Sequence, residues 1–201
     1  MRTRLIRVDP ENPDPGLIRQ AAATLRRGGL VAFPTETVYG LGANLDDPQA
    51  IQELYQIKQR PFEKQVTIHL ASASDLEKYP VRVTDLGREL ARVFWPGPLT
   101  LVFARPDGST LGFRVPRHPV AAALLKEAAV PVVAPSANVS GMPPALTAAE
   151  VAGLFMDKID WIIDGGPAPL GVGSTVLDLS GESPSILREG AMAAEVERFL
   201  G

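Results

Sequence analysis

The chain has 201 residues, 45% of them hydrophobic and 21% charged, with a net charge of −3, two histidines and no cysteine. That length suits one domain whose core stands without staples. The missing cysteine removes disulfides, thiol nucleophiles and cysteine zinc sites, and the acidic balance argues against a strongly basic, nonspecific nucleic-acid binder.

The N-terminal MRTRLIRVDPENPDP has no apolar stretch of signal-peptide type, and no run approaches a membrane span, so a cytoplasmic protein away from membranes is expected. Leu5–Val8 reads as a first strand. Asp14-Pro15 opens a helix through Ile18, Ala22 and Leu25 that Gly28-Gly29 stops. Leu30–Phe33 is a short apolar run ended by Pro34, which lacks the donor an interior ladder needs. Thr35, Glu36 and Thr37 then place hydroxyls and a carboxylate at a strand exit, where open α/β sheets bind ligands. Gly40 and Gly42 read as part of the turn that follows. Asp47 caps a helix with Pro48 at its first position and Ile51, Leu54 and Tyr55 on its buried face.

That helix ends at Lys58-Gln59-Arg60-Pro61. Residues two apart on a continuing helix diverge, but Pro61 disfavours helical backbone at Arg60, which frees the two cations to turn toward one anion. The alternative is that they only complement the helix dipole.

Val66–Leu70 fits a half-buried strand carrying His69. Thr84–Phe94 fits a helix, broken by Trp95-Pro96-Gly97-Pro98. Leu99–Phe103 and Gly112–Val115 are strands on either side of a Pro-Asp-Gly turn. His118-Pro119 begins an alanine-rich helix ending near Ala129, and Pro131–Ala134 is a buried strand running into Pro135–Gly141. Thr147 and Glu150 form a capping box for a helix through Phe155. Trp161–Ile163, Thr175–Leu179 and Ser185–Leu187 are further strands, and Ala194–Leu200 a last helix. Eight or nine strands interleaved with five or six helices predict an α/β fold: a single domain over residues 1–201, with a twisted, open, mixed to parallel sheet flanked by helices.

Three loops beside strands carry similar cargo: Thr35 after one, Ser136 and Asn138 after another, and Gly171–Ser174 before a third. Hydroxyls, an amide and flexible backbone suit phosphate and carboxylate oxygens. Lys58, Arg60, Arg114 and Arg188 are the cations that could join them. No P-loop is present, GVGSTV lacks the third glycine of a dinucleotide fingerprint, and no GxSxG occurs. Glu36 reads as a base, a metal contact, or a residue holding its turn through backbone hydrogen bonds. His69 reads equally as a satisfied half-buried histidine or a ligand, and His118 as a helix cap. The long non-helical stretch from Pro135 to Leu146 reads as a binding loop or lid. The residues alone support an α/β enzyme or binder with a convergent anion site.

Taken together, PTETVYGLG, KxRP, VRVPxHP, APSANxSG, GSTVLDL and ILREG resemble the YrdC/Sua5 family over roughly Leu25–Gly190. The resemblance implies a YrdC-like domain that makes L-threonylcarbamoyladenylate and pyrophosphate from L-threonine, bicarbonate or CO2, and ATP, for the t6A37 modification of tRNA. It places Lys58, Arg60, Ser136 and Asn138 at the ATP and reaction site, with Arg114 and Arg188 adding nucleotide contacts. It points to Thr35, His69, His118 and Ser174 for L-threonine. Mg2+ is implied on the triphosphate, with no metal site in the protein. Downstream proteins that transfer the group to tRNA, and weak tRNA binding, are the implied partners.

Where many relatives continue KxRP with Pro-Leu or Gly-Leu, this chain has Lys64-Gln65-Val66-Thr67. The ending soon after Gly190 suggests a short form without the further domain of longer relatives. Two rivals stand beside this reading. A hydrogenase-maturation carbamoyl-adenylate former would need acylphosphatase and cysteine-rich zinc modules. A non-catalytic RNA-binding or ribosome-assembly factor would show a basic face and salt-dependent binding.

Overall fold

The computed structural model describes residues 2–201. In chain order it runs β1 (Arg4–Arg7), α1 (Pro15–Arg26), β2 (Val31–Phe33), β3 (Gly40–Asn44), α2 (Pro48–Ile57) and β4 (Thr67–His69). A 3-10 turn over Ala73–Lys78 leads to α3 (Asp85–Phe94), β5 (Leu99–Ala104), β6 (Thr110–Arg114) and α4 (Pro119–Ala128). Then come β7 (Val132–Val133), α5 (Ala148–Phe155), β8 (Trp161–Asp164), β9 (Thr175–Asp178), β10 (Ser185–Arg188) and α6 (Ala193–Leu200).

Helix starts follow local chemistry. Asp14, Asp47, Thr84 and Thr147 each accept a backbone N–H from the first turn of α1, α2, α3 and α5, and the Thr147–Glu150 capping box forms as expected. Helices α1, α2 and α4 have proline at their starts, where the missing donor costs nothing.

The ten strands form one open mixed sheet in the order β1-β8-β2-β3-β7-β4-β6-β5-β9-β10. Parallel and antiparallel pairings are nearly balanced: β1–β8, β2–β8, β4–β6 and β5–β9 are parallel, and the other five antiparallel. The strand count exceeds the expected eight or nine chiefly because of β3. The glycine stretch expected as a turn is a fully buried strand between β2 and β7. Gly40 and Gly42 are poor strand formers, so pairing on both sides, not propensity, makes this strand.

Alternation along the strands sorts side chains to two faces. Ala32, Ile68, Leu101, Phe113, Val133, Ile162 and Leu177 point to one face and form the larger core with residues of α2, α3, α5 and α6. Val31, Phe33, Val132, Ala134, Trp161 and Ile163 point to the other, where α1 and α4 cover them. Those two helices cover only part of that face. On β4, β6, β5 and β9 the same face bears polar side chains, and the site lies there.

Candidate active site

Register carries this face from the covered half to the open half. His69 of β4 stands opposite Val132 of β7, which packs under the helices, and opposite Arg114 of β6. Thr67 is two residues from His69, Thr100 alternates with Leu99 and Leu101, and Ser174 just precedes β9. All four line a cavity of about 310 Å³. Thr100 and Ser174 hydroxyls bond to each other at 2.9 Å, closing the floor between β5 and β9.

The walls are the loops expected to carry chemistry. Ser136 forms an isolated bridge with Gly40, Leu41 N donates to Pro135 O and Ala137 N to Tyr39 O, so the Pro135–Asn138 loop is stitched to the start of β3. The loop after β8 is tied in as well: Ala168 N donates to Leu146 O, Leu170 N to Glu36 O, and the Tyr39 hydroxyl to Gly166 O at 2.6 Å. Gly190 fits where it does because it has no side chain; a Cβ there would overlap the backbone of Ser174 and Thr175.

Eight of the ten sequence-derived site residues line this cavity: Thr35, Arg60, His69, Arg114, Ser136, Asn138, Ser174 and Arg188. Lys58 and His118 are not among its lining residues. Lys58 and Arg60 donate to different carbonyls rather than to a shared partner. Lys58 is buried behind the loop, its ammonium donating to the carbonyls of Ser136 and, at 2.7 Å, Asn138. Helix α2 ends there because Gln59 turns left-handed, and Ser140 N returns a hydrogen bond to Lys58 O. Burial, and then the charge of Arg60, lower Lys58 to about 8. Arg60 does reach the cavity, while donating to Lys64 O at 3.0 Å and Gln65 O at 2.7 Å.

His118 caps α4: its Nδ1 accepts the Val120 N–H at 3.2 Å. Burial lowers it, against the opposing pull of Glu36 and Glu11. His69 lies edge-on to Phe33 with its Nδ1 3.3 Å from Thr67 O; burial, then Arg114, drive it to about 3, so it is neutral at physiological pH.

Three guanidiniums converge. Arg188 folds back from the end of β10 to give two hydrogen bonds to Ser174 O and one to Ser174 Oγ. Partial burial, then the charges of Arg114 and Arg60, lower it below the usual arginine value. Arg114 is buried; its Nε donates to Gly97 O, its Nη1 to Thr37 Oγ1 at 2.9 Å, and its Nη2 lies 2.8 Å from Glu36 Oε2. Thr35 Oγ1 completes the turn by donating to Val38 O at 2.6 Å and contacting Thr37 Oγ1.

The sequence reading did not single out Thr67, Thr100 or Tyr39, all on the cavity wall. The alternation of polar with apolar residues in VTIHL and LTLVF was the available signal for the first two. Among the described residues no group of three or more His, Cys, Asp or Glu side chains is arranged to hold a metal, and no helix is long and apolar enough to cross a membrane.

Comparison with known proteins agrees with this picture. Residues 23–190 match the Sua5/YciO/YrdC family model, which carries the description "Telomere recombination". A threonylcarbamoyl-AMP synthase of Pyrococcus abyssi is 43% identical over 194 residues, covering 92% of this chain and 57% of that protein. One from Bacillus subtilis is 42% identical over 195 residues, covering 92% and 56%. This chain therefore spans little more than half the length of those relatives. The crystal structure of P. abyssi Sua5 complexed with L-threonine superposes with a TM-score of 0.94 at 42% identity, covering 99% of this chain and 61% of that one. On both sequence and fold, the chain belongs to the Sua5/YciO/YrdC family.

Proposed function

We propose that the chain condenses L-threonine, bicarbonate or CO2, and ATP to L-threonylcarbamoyl-AMP and pyrophosphate, the activity named in its P. abyssi and B. subtilis relatives. The observation that carries this reading is the convergence of Arg60, Arg114 and Arg188 on one cavity lined with hydroxyls. The amine of threonine forms an N–C bond to CO2 and gives up a proton; from bicarbonate the same bond forms with loss of water. A carbamate oxygen then attacks the α-phosphorus, and the bond to pyrophosphate breaks.

This chemistry builds negative charge on phosphoryl oxygens and on the leaving group, so fixed cations and oriented donors do most of the work. Arg60 and Arg188 at the mouth and Arg114 in the floor supply the cations, with Ser136 and Asn138 beside them. Lys58 acts from behind, holding the carbonyls of Ser136 and Asn138 so that their loop keeps its shape. Thr35, Ser174 and neutral His69 are the threonine contacts, and the P. abyssi complex supports a threonine site in this fold. His118 steadies α4 beside that pocket. Mg2+ enters on the triphosphate as part of the substrate, carried mainly by phosphate oxygens and water. Closure of the Pro135–Leu146 or Gly165–Gly173 loop shields the carbamate from water. The product passes to separate transfer proteins acting on tRNA.

Incubation with ATP, threonine and bicarbonate, followed by mass spectrometry, tests the reading. Threonine-dependent threonylcarbamoyl-AMP with matching pyrophosphate is expected. Folded protein that makes none would overturn it and bring forward RNA binding without catalysis.

A further inference from the structure

We propose that Glu36 is a positioning residue for Arg114, holding its guanidinium at the cavity and supplying the counter-charge that lets an anionic product leave. Glu36 is 6% exposed and Arg114 4%, and their closest atoms are 2.8 Å apart. The turn does not need the carboxylate. It is held by Thr35 Oγ1, and the Glu36 contribution to it is a backbone one, its carbonyl accepting Leu170 N at 3.0 Å. Neither Glu36 carboxylate oxygen has a hydrogen-bond partner of good geometry, so the carboxylate's one close polar neighbour among the ion pairs is Arg114 Nη2, held by charge. A buried ion pair of this kind adds little to stability over apolar residues of similar size, so its presence points to a task beyond folding.

The task follows from what surrounds Arg114. Gly97 O and Thr37 Oγ1 fix Nε and Nη1, and the ion pair holds Nη2, so the guanidinium is restrained from several directions while lining the cavity. Arg60 and Arg188 carry the same charge on the same cavity, and among the described residues neither forms an ion pair. Glu36 is therefore the carboxylate that balances the buried member of the three. Without its charge, Arg114 is an uncompensated buried cation in the free protein, and a bound polyanion supplies the missing counter-charge. The anion then binds more tightly and leaves more slowly, while Arg114 loses its fixed direction. General loosening of the site would weaken binding and turnover together, so the opposite signs distinguish the two.

The test uses the full chain as wild type, Glu36→Gln and Glu36→Asp. Inorganic pyrophosphate binding is measured by calorimetry, melting is followed with and without pyrophosphate, and kcat and KM for ATP come from product formation. Glu36→Gln should bind pyrophosphate about tenfold more tightly and gain more melting temperature from it than wild type. Its KM for ATP should fall while kcat drops about 100-fold. Glu36→Asp, whose shorter side chain keeps the charge at greater distance, should show the same split at smaller amplitude. Unchanged or weaker pyrophosphate binding by folded Glu36→Gln would overturn the proposal. Should Glu36→Gln fail to fold even with pyrophosphate, Glu36→Asp decides: the split supports the proposal and wild-type behaviour overturns it. Only the turnover arm rests on the synthase reading. Tightened pyrophosphate binding with no product from wild type would remove that reading and leave the role of Glu36 standing, whereas an active wild type with unaltered pyrophosphate binding in the variant would do the reverse.

Discussion

One face of the sheet serves two purposes, and the boundary falls between β7 and β4. On the β8, β2 and β7 side, Trp161, Ile163, Val31, Phe33 and Val132 lie beneath α1 and α4, and every second residue is apolar. On the β4, β6, β5 and β9 side, Thr67, His69, Thr100, Arg114 and Ser174 face a cavity. His69, paired to Val132 across the boundary and set edge-on to Phe33, belongs to both. The difference teaches that a strand's burial pattern is decided by what lies above it: the same extended backbone holds a core in one half and lines a polar cavity in the other.

Substitutions on each side should separate stability from activity. The largest effect is expected from Arg114→Ala, which removes a cation from the open half and leaves Glu36 buried without its partner. A stability loss of about 3–5 kcal/mol in chemical denaturation, together with near-complete loss of turnover, is the outcome. Phe33→Ala on the covered half should cost a similar amount, about 3–5 kcal/mol, through the cavity it leaves. Where the variant stays folded, its KM for ATP should remain close to wild type; a KM shift as large as that of an open-half variant would erase the distinction.

Lys58 gives a pH test. Its folded value of about 8 lies below the usual 10.5, so burying the ammonium is a cost fully present below pH 8. Between about pH 8 and 10.5 the unfolded chain binds the extra proton, so wild-type stability should rise with pH relative to Lys58→Met, by at most about 3 kcal/mol. A gap that stays flat over this window in pH-dependent melting would refute a buried, charged Lys58. Smallest is Ser174→Ala. It keeps the backbone carbonyl that Arg188 uses and loses only the hydroxyl shared with Thr100 and Arg188, so stability should change by less than about 1 kcal/mol while kcat/KM for threonine falls about tenfold.

Much of this was legible in local chemistry. Asp14, Asp47 and the Thr147–Glu150 box announced their helices, because caps are decided within four residues. Thr35, Ser136, Asn138 and Ser174 stood beside strands with the composition of binding loops, and all four meet at the cavity. The features that stayed hidden are set across the sheet. β3 reads as a glycine turn because only β2 and β7, distant in sequence, make Gly40–Asn44 a strand. Thr67 and Thr100 become site residues only once it is known that no helix covers their half. The inward turn of Lys58 depends on two carbonyls about eighty positions away. The Ala73–Lys78 turn begins where Ser72 N donates to the Asp75 carboxylate and Asp75 N to the Ser72 carbonyl, bonds that sit outside any helical hydrophobic pattern.

The measurement that tests the division of the sheet face most directly is amide hydrogen exchange, with and without ATP and threonine together. Slowed exchange at residues 35–38, 67–69, 136–142 and 173–175, with α1 and α4 unchanged, is the result predicted. Protection centred on α1 and α4, or none in those segments while product forms, would contradict it.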